Sequence, residues 1–201
     1  MIVALGDLML DIVMRSESPF PYGRHCFAQA SISPGGSAAN FAVWAARLGA
    51  KAGLIAKVGD DVLGHALLQD LEHEEVVSGV VVGEEPTGLM LALVDENGKR
   101  TMLAARGAAS TLSVEDLDWA LLDRADLLHV TAYSFFEDKP RQATLAAMEH
   151  FKKRGKLLSL DPSAYHHLQR LVPEAFLALV QGVDIFLPNL DEGRVLTGEH
   201  E

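Results

Sequence analysis

What most constrains this chain is the rhythm of its C-terminal half. From residue 111 onward, short apolar runs alternate with amphipathic stretches of helical length. DLLHVTAY (126–133) has the character of a buried strand, and KPRQATLAAMEHFKKRGK (139–156) reads as an amphipathic helix. LLSLD (157–161), PEAFLALVQG (173–182) and DIFLP (184–188) then follow as strand, helix and strand. Asn189 is placed to cap a last helix that Gly198 ends. Repeated β-then-α units of this length imply right-handed crossovers and strands buried on both faces. The expectation is an α/β fold: a mostly parallel sheet with helices on both faces. With 201 residues the chain is long enough for one large domain.

The N-terminal half is richer in strands. IVAL (2–5), closed by Gly6, suits a buried strand, and residues 11–15 continue as a second. SESPFPYG (16–23) is loop-like, and residues 24–33 alternate loosely as an exposed strand. PGGSAAN (34–40) leads into FAVWAARLGA, where Phe41, Trp44 and Leu48 form a helical stripe. Ser37 is the expected N-cap of that helix and Gly49 the residue just past its end. Residues 52–58 read as one strand, and 59–75 as a turn into a helix. Residues 77–106 give two or three strands, with Asn97-Gly98 as the hairpin signal. These strands and the 11–33 region predict a small antiparallel sheet separate from the main one. Ser113 to Asp116 resembles a capping box ahead of LDWALLDR.

Composition removes several functional classes. Apolar residues make up 49% and charged residues 22%, the profile of a globular protein. Seventeen Lys+Arg against 28 Asp+Glu leave a formal charge of −11, which argues against a nucleic-acid or anionic-membrane partner. A phosphate ligand stays compatible with this field, because local amides, helix N-termini and Mg²⁺ act at short range. The single cysteine, Cys26, excludes an internal disulfide and a Cys-rich metal site, and fits a cytoplasmic protein. No apolar run reaches the ~18 residues of a membrane span. Asp7 and Asp11 interrupt the N-terminal run, which reads as strand rather than signal peptide. The eight histidines show no zinc-ligand spacing, and Lys152-Lys153-Arg154 complements a helix C-terminus.

In parallel α/β sheets, ligands sit beyond the carboxyl ends of the strands. Four polar groups fall at such ends: Gly6-Asp7 to Asp11, Gly59-Asp60-Asp61, Asp161-Pro162-Ser163, and Asn189 to Glu192. A single Asp there is more often a cap or a turn former; four together weaken that explanation. Gly35-Gly36 matches neither the Walker pattern nor G-x-G-x-x-G. It is either a simple turn or a backbone donor surface for hydroxyls. Asn40 either adds an amide to that surface or bonds the first turn of its own helix.

Taken in order, G-D-x-x-x-D (6–11), P-G-G-x-x-x-N (34–40), V-G-D-D-x-x-G (58–64), Thr87-Gly88, Arg106-Gly-Ala, Asp161-Pro162 and P-N-x-x-E (188–192) resemble the ribokinase-like (PfkB) carbohydrate kinases over essentially the whole chain. The resemblance implies transfer of the ATP γ-phosphate to a primary hydroxyl of a sugar or sugar acid, with Mg²⁺. Asp11 would accept hydrogen bonds from sugar hydroxyls, and Gly35, Gly36 and Asn40 would complete that pocket. Arg106 would contact the substrate or the phosphate. Asn189 and Glu192 would serve the nucleotide, with Glu192 holding Mg²⁺ through water. Residues 11–33 and 77–106 would form a β lid over a core of 1–10, 34–76 and 107–201. Lids of this family often pack together, so a homodimer is expected, with Val80–Val82 and Leu89–Val94 as the apolar strands.

Two departures stand out. Met9 occupies a position that many of these kinases fill with a polar residue. The glycine-rich G-A-G-D turn that carries the general base is absent, as are the strands that hold adenine. The expectation is therefore a C-terminally incomplete kinase, inactive alone, with no catalytic base to assign and an uncovered apolar edge near 184–187. A non-catalytic sugar-sensing module derived from the same fold is the alternative, and a structural remnant that binds nothing is a third. Ribose, fructose, a keto-deoxy acid and a nucleoside all suit the pocket so described.

Overall fold

The computed structural model describes residues 1–201 apart from 17–22, 24, 164–167, 169–172 and 200–201. The expected loop over 16–23 and the pair His166-His167 fall largely outside the described residues. In chain order the first elements are β1 (Ile2–Leu5), β2 (Met9–Arg15), β3 (Gln29–Gly35), α1 (Ser37–Arg47), β4 (Ala52–Ile55), β5 (Lys57–Gly59) and α2 (Val62–His73). Four strands follow: β6 (Val77–Ser78), β7 (Val81–Gly83), β8 (Leu89–Val94) and β9 (Arg100–Ala105). The remainder alternates as the sequence predicts: α3 (Trp119–Arg124), β10 (Leu127–Thr131), α4 (Asp138–Lys153), β11 (Leu157–Asp161), α5 (Pro173–Leu179), β12 (Ile185–Phe186) and α6 (Leu190–Thr197).

The main sheet has the order β12–β11–β10–β1–β4–β6, and every pairing in it is parallel. Its strands alternate between two apolar layers. Val3, Leu5, Leu128, Val130, Leu158 and Leu160 point into one core with α3, α4 and α5. Ala4 and Leu54 point into the other, against Ala38, Ala39 and Ala42 of α1 and Leu67 and Leu71 of α2. The small α1 residues let that helix lie close to the sheet. Beyond β1 on this second face the neighbours become polar. His129 of β10 stacks on Phe41 of α1, centroids 3.6 Å apart, and its Nδ1 lies 3.1 Å from the Ser159 hydroxyl of β11. Burial lowers its pKa to about 4, so His129 is a neutral core residue at physiological pH.

The chain runs outward from β1 to β4 and β6, then returns to β10 on the other side of β1 and continues to β11 and β12. The direction therefore reverses between β1 and β10. A doubly wound sheet opens a crevice at the carboxyl ends of such a pair.

A second sheet, ordered β3–β2–β8–β9, stands over that crevice. It is mixed rather than antiparallel, because β2 and β8 run parallel while the outer pairings are antiparallel. Both strands leave the rim of the main sheet at the same place, where the Leu10 amide donates to the Gly88 carbonyl at 2.9 Å, and so they run the same way. The β8–β9 hairpin turns at Asn97-Gly98 as predicted, with Gly98 at φ +77°. The Asp95 carboxylate organises it, accepting from the amides of Asn97 and Lys99.

Several local expectations need correction. The stretch 52–58 is broken at Ala56, and β5 leaves the main sheet to pair with β7 in a two-stranded ribbon. β6 belongs to the main sheet, so of 77–106 only the part from Leu89 onward pairs with β2, while Val80–Val82 lies with the ribbon. The exposed strand begins at Gln29, and Gly36, not Ser37, is the N-cap of α1. The Ser113–Asp116 box closes a short 3₁₀ turn, and α3 is capped separately by Asp118. The expected uncovered edge is present: among the described residues β12 is the outermost strand, and its Ile185 and Phe186, with Leu187 just past it, are exposed.

Candidate functional site

A cavity of about 480 Å³ lies at the β1–β10 crevice, within the size range of small-molecule sites. Asp7 follows β1, while Tyr133 and Glu137 follow β10; Met9, Met90 and Arg106 come from the overhanging sheet and its exit. A second hollow of about 430 Å³ adjoins it, shares Met90, and is lined by Asp11, Val13, Ala92 and Met102. Strand periodicity explains the grouping. Met9, Asp11 and Val13 alternate on one face of β2, and register sets Asp11 beside Met90 and Val13 beside Ala92. The opposite face of the same strand sends Leu10 into the α1–α2 core, with Ile12 packed against it.

The diglycine serves these carboxylates by making room. A Cβ on Gly35 would stand 2.3 Å from the Asp11 carboxyl carbon, and a Cβ on Gly36 would stand 2.5 Å from the Asp7 carbonyl oxygen. Gly36 also holds φ +98°, a conformation that L side chains rarely adopt. Asp7 is only 6% exposed; its Oδ2 accepts a long bond from the Ser37 amide, while its buried Oδ1 has no partner. Burial pushes the Asp11 carboxyl above its ordinary pKa, and the Asp7 charge adds to that. An acceptor-only pair beneath a lid, one oxygen buried and unpaired, calls for a ligand rich in donors.

Arg106 lines the cavity with its guanidinium largely buried. Its Nη1 donates to the Tyr133 carbonyl at 2.9 Å and stands 3.6 Å from Glu137 Oε1. The Tyr133 phenol is pushed up by burial first, then by the charges of Asp7, Asp161 and Glu192, while Arg106 opposes them. Carboxylates after β1, at the end of β11 and after β12 thus act on one side chain.

The remaining sequence candidates separate by how well they are satisfied. Asn40 is exposed on the first turn of α1 and is not among the residues lining the cavity. Asn189 and Glu192 form a complete capping box. The Asn189 amide and side-chain nitrogen donate to the two Glu192 oxygens at 2.9 and 2.7 Å, and Asn189 Oδ1 accepts from the Glu192 amide. Asp61, from the V-G-D-D-x-x-G element, caps α2 through the Gly64 amide and accepts from both the amide and the hydroxyl of Thr87. That element and Thr87-Gly88 are therefore one structural joint. Tyr133 and Glu137 escaped sequence reasoning. Their place depends on β10 lying beside β1, and strand order is not written in local periodicity.

These features together are an α/β sheet with a crevice at its switch point, carboxylates at that crevice and a small β sheet above it. Comparison with known proteins gives the family. The description "pfkB family carbohydrate kinase" matches residues 1–201, and the chain belongs to that family. It is 31% identical over 205 residues to fructokinase-1 of Zea mays, a match covering 98% of this chain and 62% of the relative. It is 33% identical over 186 residues to 2-dehydro-3-deoxygluconokinase of Bacillus subtilis (strain 168), covering 88% and 57%. In three dimensions it resembles an E. coli protein assigned as a ribokinase II and solved in complex with ATP and Mg²⁺. There the TM-score is 0.87 at 24% identity, covering all of this chain and 65% of that one; a likeness at this identity speaks for the fold. The chain spans less than two thirds of the length of these relatives.

Proposed function

We propose that this chain carries the sugar-binding part of an ATP-dependent carbohydrate kinase that phosphorylates a primary hydroxyl. The observation that carries this reading is the unpaired, buried Oδ1 of Asp7 in the switch-point cavity, beside Asp11 and beneath a β lid. A hydroxyl supplies the missing donor, and bonds from hydroxyls to carboxylates are short and strong. Gly35 and Gly36 fix the positions of the two acids, and Arg106 lies against the substrate. Water exclusion falls to the lid, whose Met9 and Met90 give the cavity an apolar wall.

The nucleotide end is assigned on the family's chemistry. Glu192 accepts two hydrogen bonds from Asn189, half the capacity of a carboxylate, which leaves lone pairs for the water shell of Mg²⁺. Bound MgATP would supply the phosphoryl group and the neutralising charge. No general base is assigned, because the G-A-G-D turn is not in the chain. A cytoplasmic location and self-association through the lids complete the proposal. Ile32 and Leu103 lie exposed on the back of the lid.

The test is a thermal-shift screen of neutral sugars, followed by an ADP-release assay with MgATP. At least one sugar should raise Tm by several degrees, and sugar-stimulated ADP release should be at background. Failure of every sugar to shift Tm contradicts the binding reading. Rapid turnover contradicts the assignment of no base.

A further inference from the structure

Two relatives of comparable similarity bear names that imply different substrates, a neutral ketose and a sugar acid. The cavity of this chain favours one of them. Among the described residues its charged lining consists of Asp7, Glu137 and Arg106, while the adjoining hollow carries Asp11 together with Arg15 and Arg100. The one guanidinium is already committed: it donates to the Tyr133 carbonyl and faces the Glu137 carboxylate at 3.6 Å. Asp161 and Glu192 also act on Tyr133, where three carboxylates are opposed by Arg106 alone. Arg15 and Arg100 line the adjoining hollow and not the cavity that holds Asp7, Glu137 and Arg106. They stand at the far end of β2 and β9, and four residues from Asp11 at strand rise is about 13 Å.

Unpaired acceptors point the same way. Asp7 Oδ1 and Glu137 Oε2 are both buried without a hydrogen-bond partner, and both residues line the cavity. A ligand that satisfies them must bring donors, which hydroxyls do and a carboxylate does not. We infer that Glu137, by neutralising Arg106 and leaving one oxygen open to a hydroxyl, makes this site selective for neutral polyols over sugar acids. The inference rests on the sugar-site reading above and adds to it a residue that sets specificity. In a site where Arg106 lacked this partner, the same guanidinium would receive a substrate carboxylate.

The test measures binding of two panels to the full chain by calorimetry. D-fructose and D-ribose serve as neutral probes, and 2-dehydro-3-deoxygluconate and D-gluconate as acids. The tightest neutral sugar should bind at least about tenfold more tightly than the tightest acid, because like charges brought together in a shared site are costly. Glu137→Gln should shrink that ratio about tenfold, and Glu137→Asp, which keeps the charge, should retain it. Acids binding as tightly as neutral sugars to the unaltered chain overturns the inference and leaves the sugar site standing. So does a ratio that Glu137→Gln does not change. Binding of neither panel overturns the sugar-site reading itself, and this inference with it.

Discussion

The two ends of the rim are built from the same materials, carboxylates and amides at strand ends, yet they differ in how completely those groups are used. At the β1–β10 crevice, Asp7 is almost fully buried with one oxygen unpaired, and Asp11 is held in the space vacated by a glycine side chain. At the β12 end, each side-chain polar atom of the Asn189–Glu192 pair already has a partner within the pair. Buried polar groups cost free energy unless paired, so an unpaired one marks a place kept for something else. A paired one has a structural task whether or not a ligand is bound. The same contrast separates Asp7 from Asp61, which is equally well placed at a strand end but is occupied by Thr87 and Gly64.

Breaking the first end should be costly. Gly36→Ala puts a Cβ 2.5 Å from the Asp7 carbonyl and forces an alanine to φ +98°. A loss of about 3 kcal/mol in urea unfolding is expected, since strained backbone costs ~1–3 kcal/mol and the overlap adds to it. A loss below about 1 kcal/mol would mean that the β3–α1 junction does not hold Asp7 in place. Sharpening the second end calls for a gentler change. Asn189→Ala removes the cap of α6 and should cost about 1 kcal/mol in the same assay, the usual worth of such a cap. Sugar affinity should stay within twofold of the parent chain; a large drop would place Asn189 in the sugar site.

Much of this fold is legible in the sequence, and the rest fails for identifiable reasons. The alternation after residue 111 predicts β10, α4, β11 and β12 because each strand is buried on both faces and each helix carries an apolar stripe. The Asn97-Gly98 turn and the Asn189 cap are read from local chemistry alone. The stretch Val77–Gly83 is misassigned to the lid because a short apolar run looks the same whichever sheet accepts it; the main sheet takes β6 and the ribbon takes β7. Ser37 is displaced as cap by Gly36 because the chain must pass close over the Asp7 carbonyl, where only glycine fits. Of the site, Asp11, the two glycines and Arg106 are visible in motifs, and the structure gives each a physical task. Tyr133 and Glu137 are not visible, since a Tyr and a Glu after a strand mean nothing until that strand is known to lie beside β1. The run DIFLP predicts a strand, and Ile185 and Phe186 of that strand, β12, are exposed.

Calorimetric titration of a neutral sugar, D-fructose first, into the parent chain and its Asp11→Ala variant asks whether the carboxylates of this crevice hold a polyol. Measurable binding to the parent and a loss of about 100-fold or more in the variant are expected, because two charge-assisted hydrogen bonds are removed. The unfolding midpoint should move little, because Asp11 is a partly exposed acid with no ion pair among the described residues. Undiminished affinity in the Asp11→Ala variant would contradict the account.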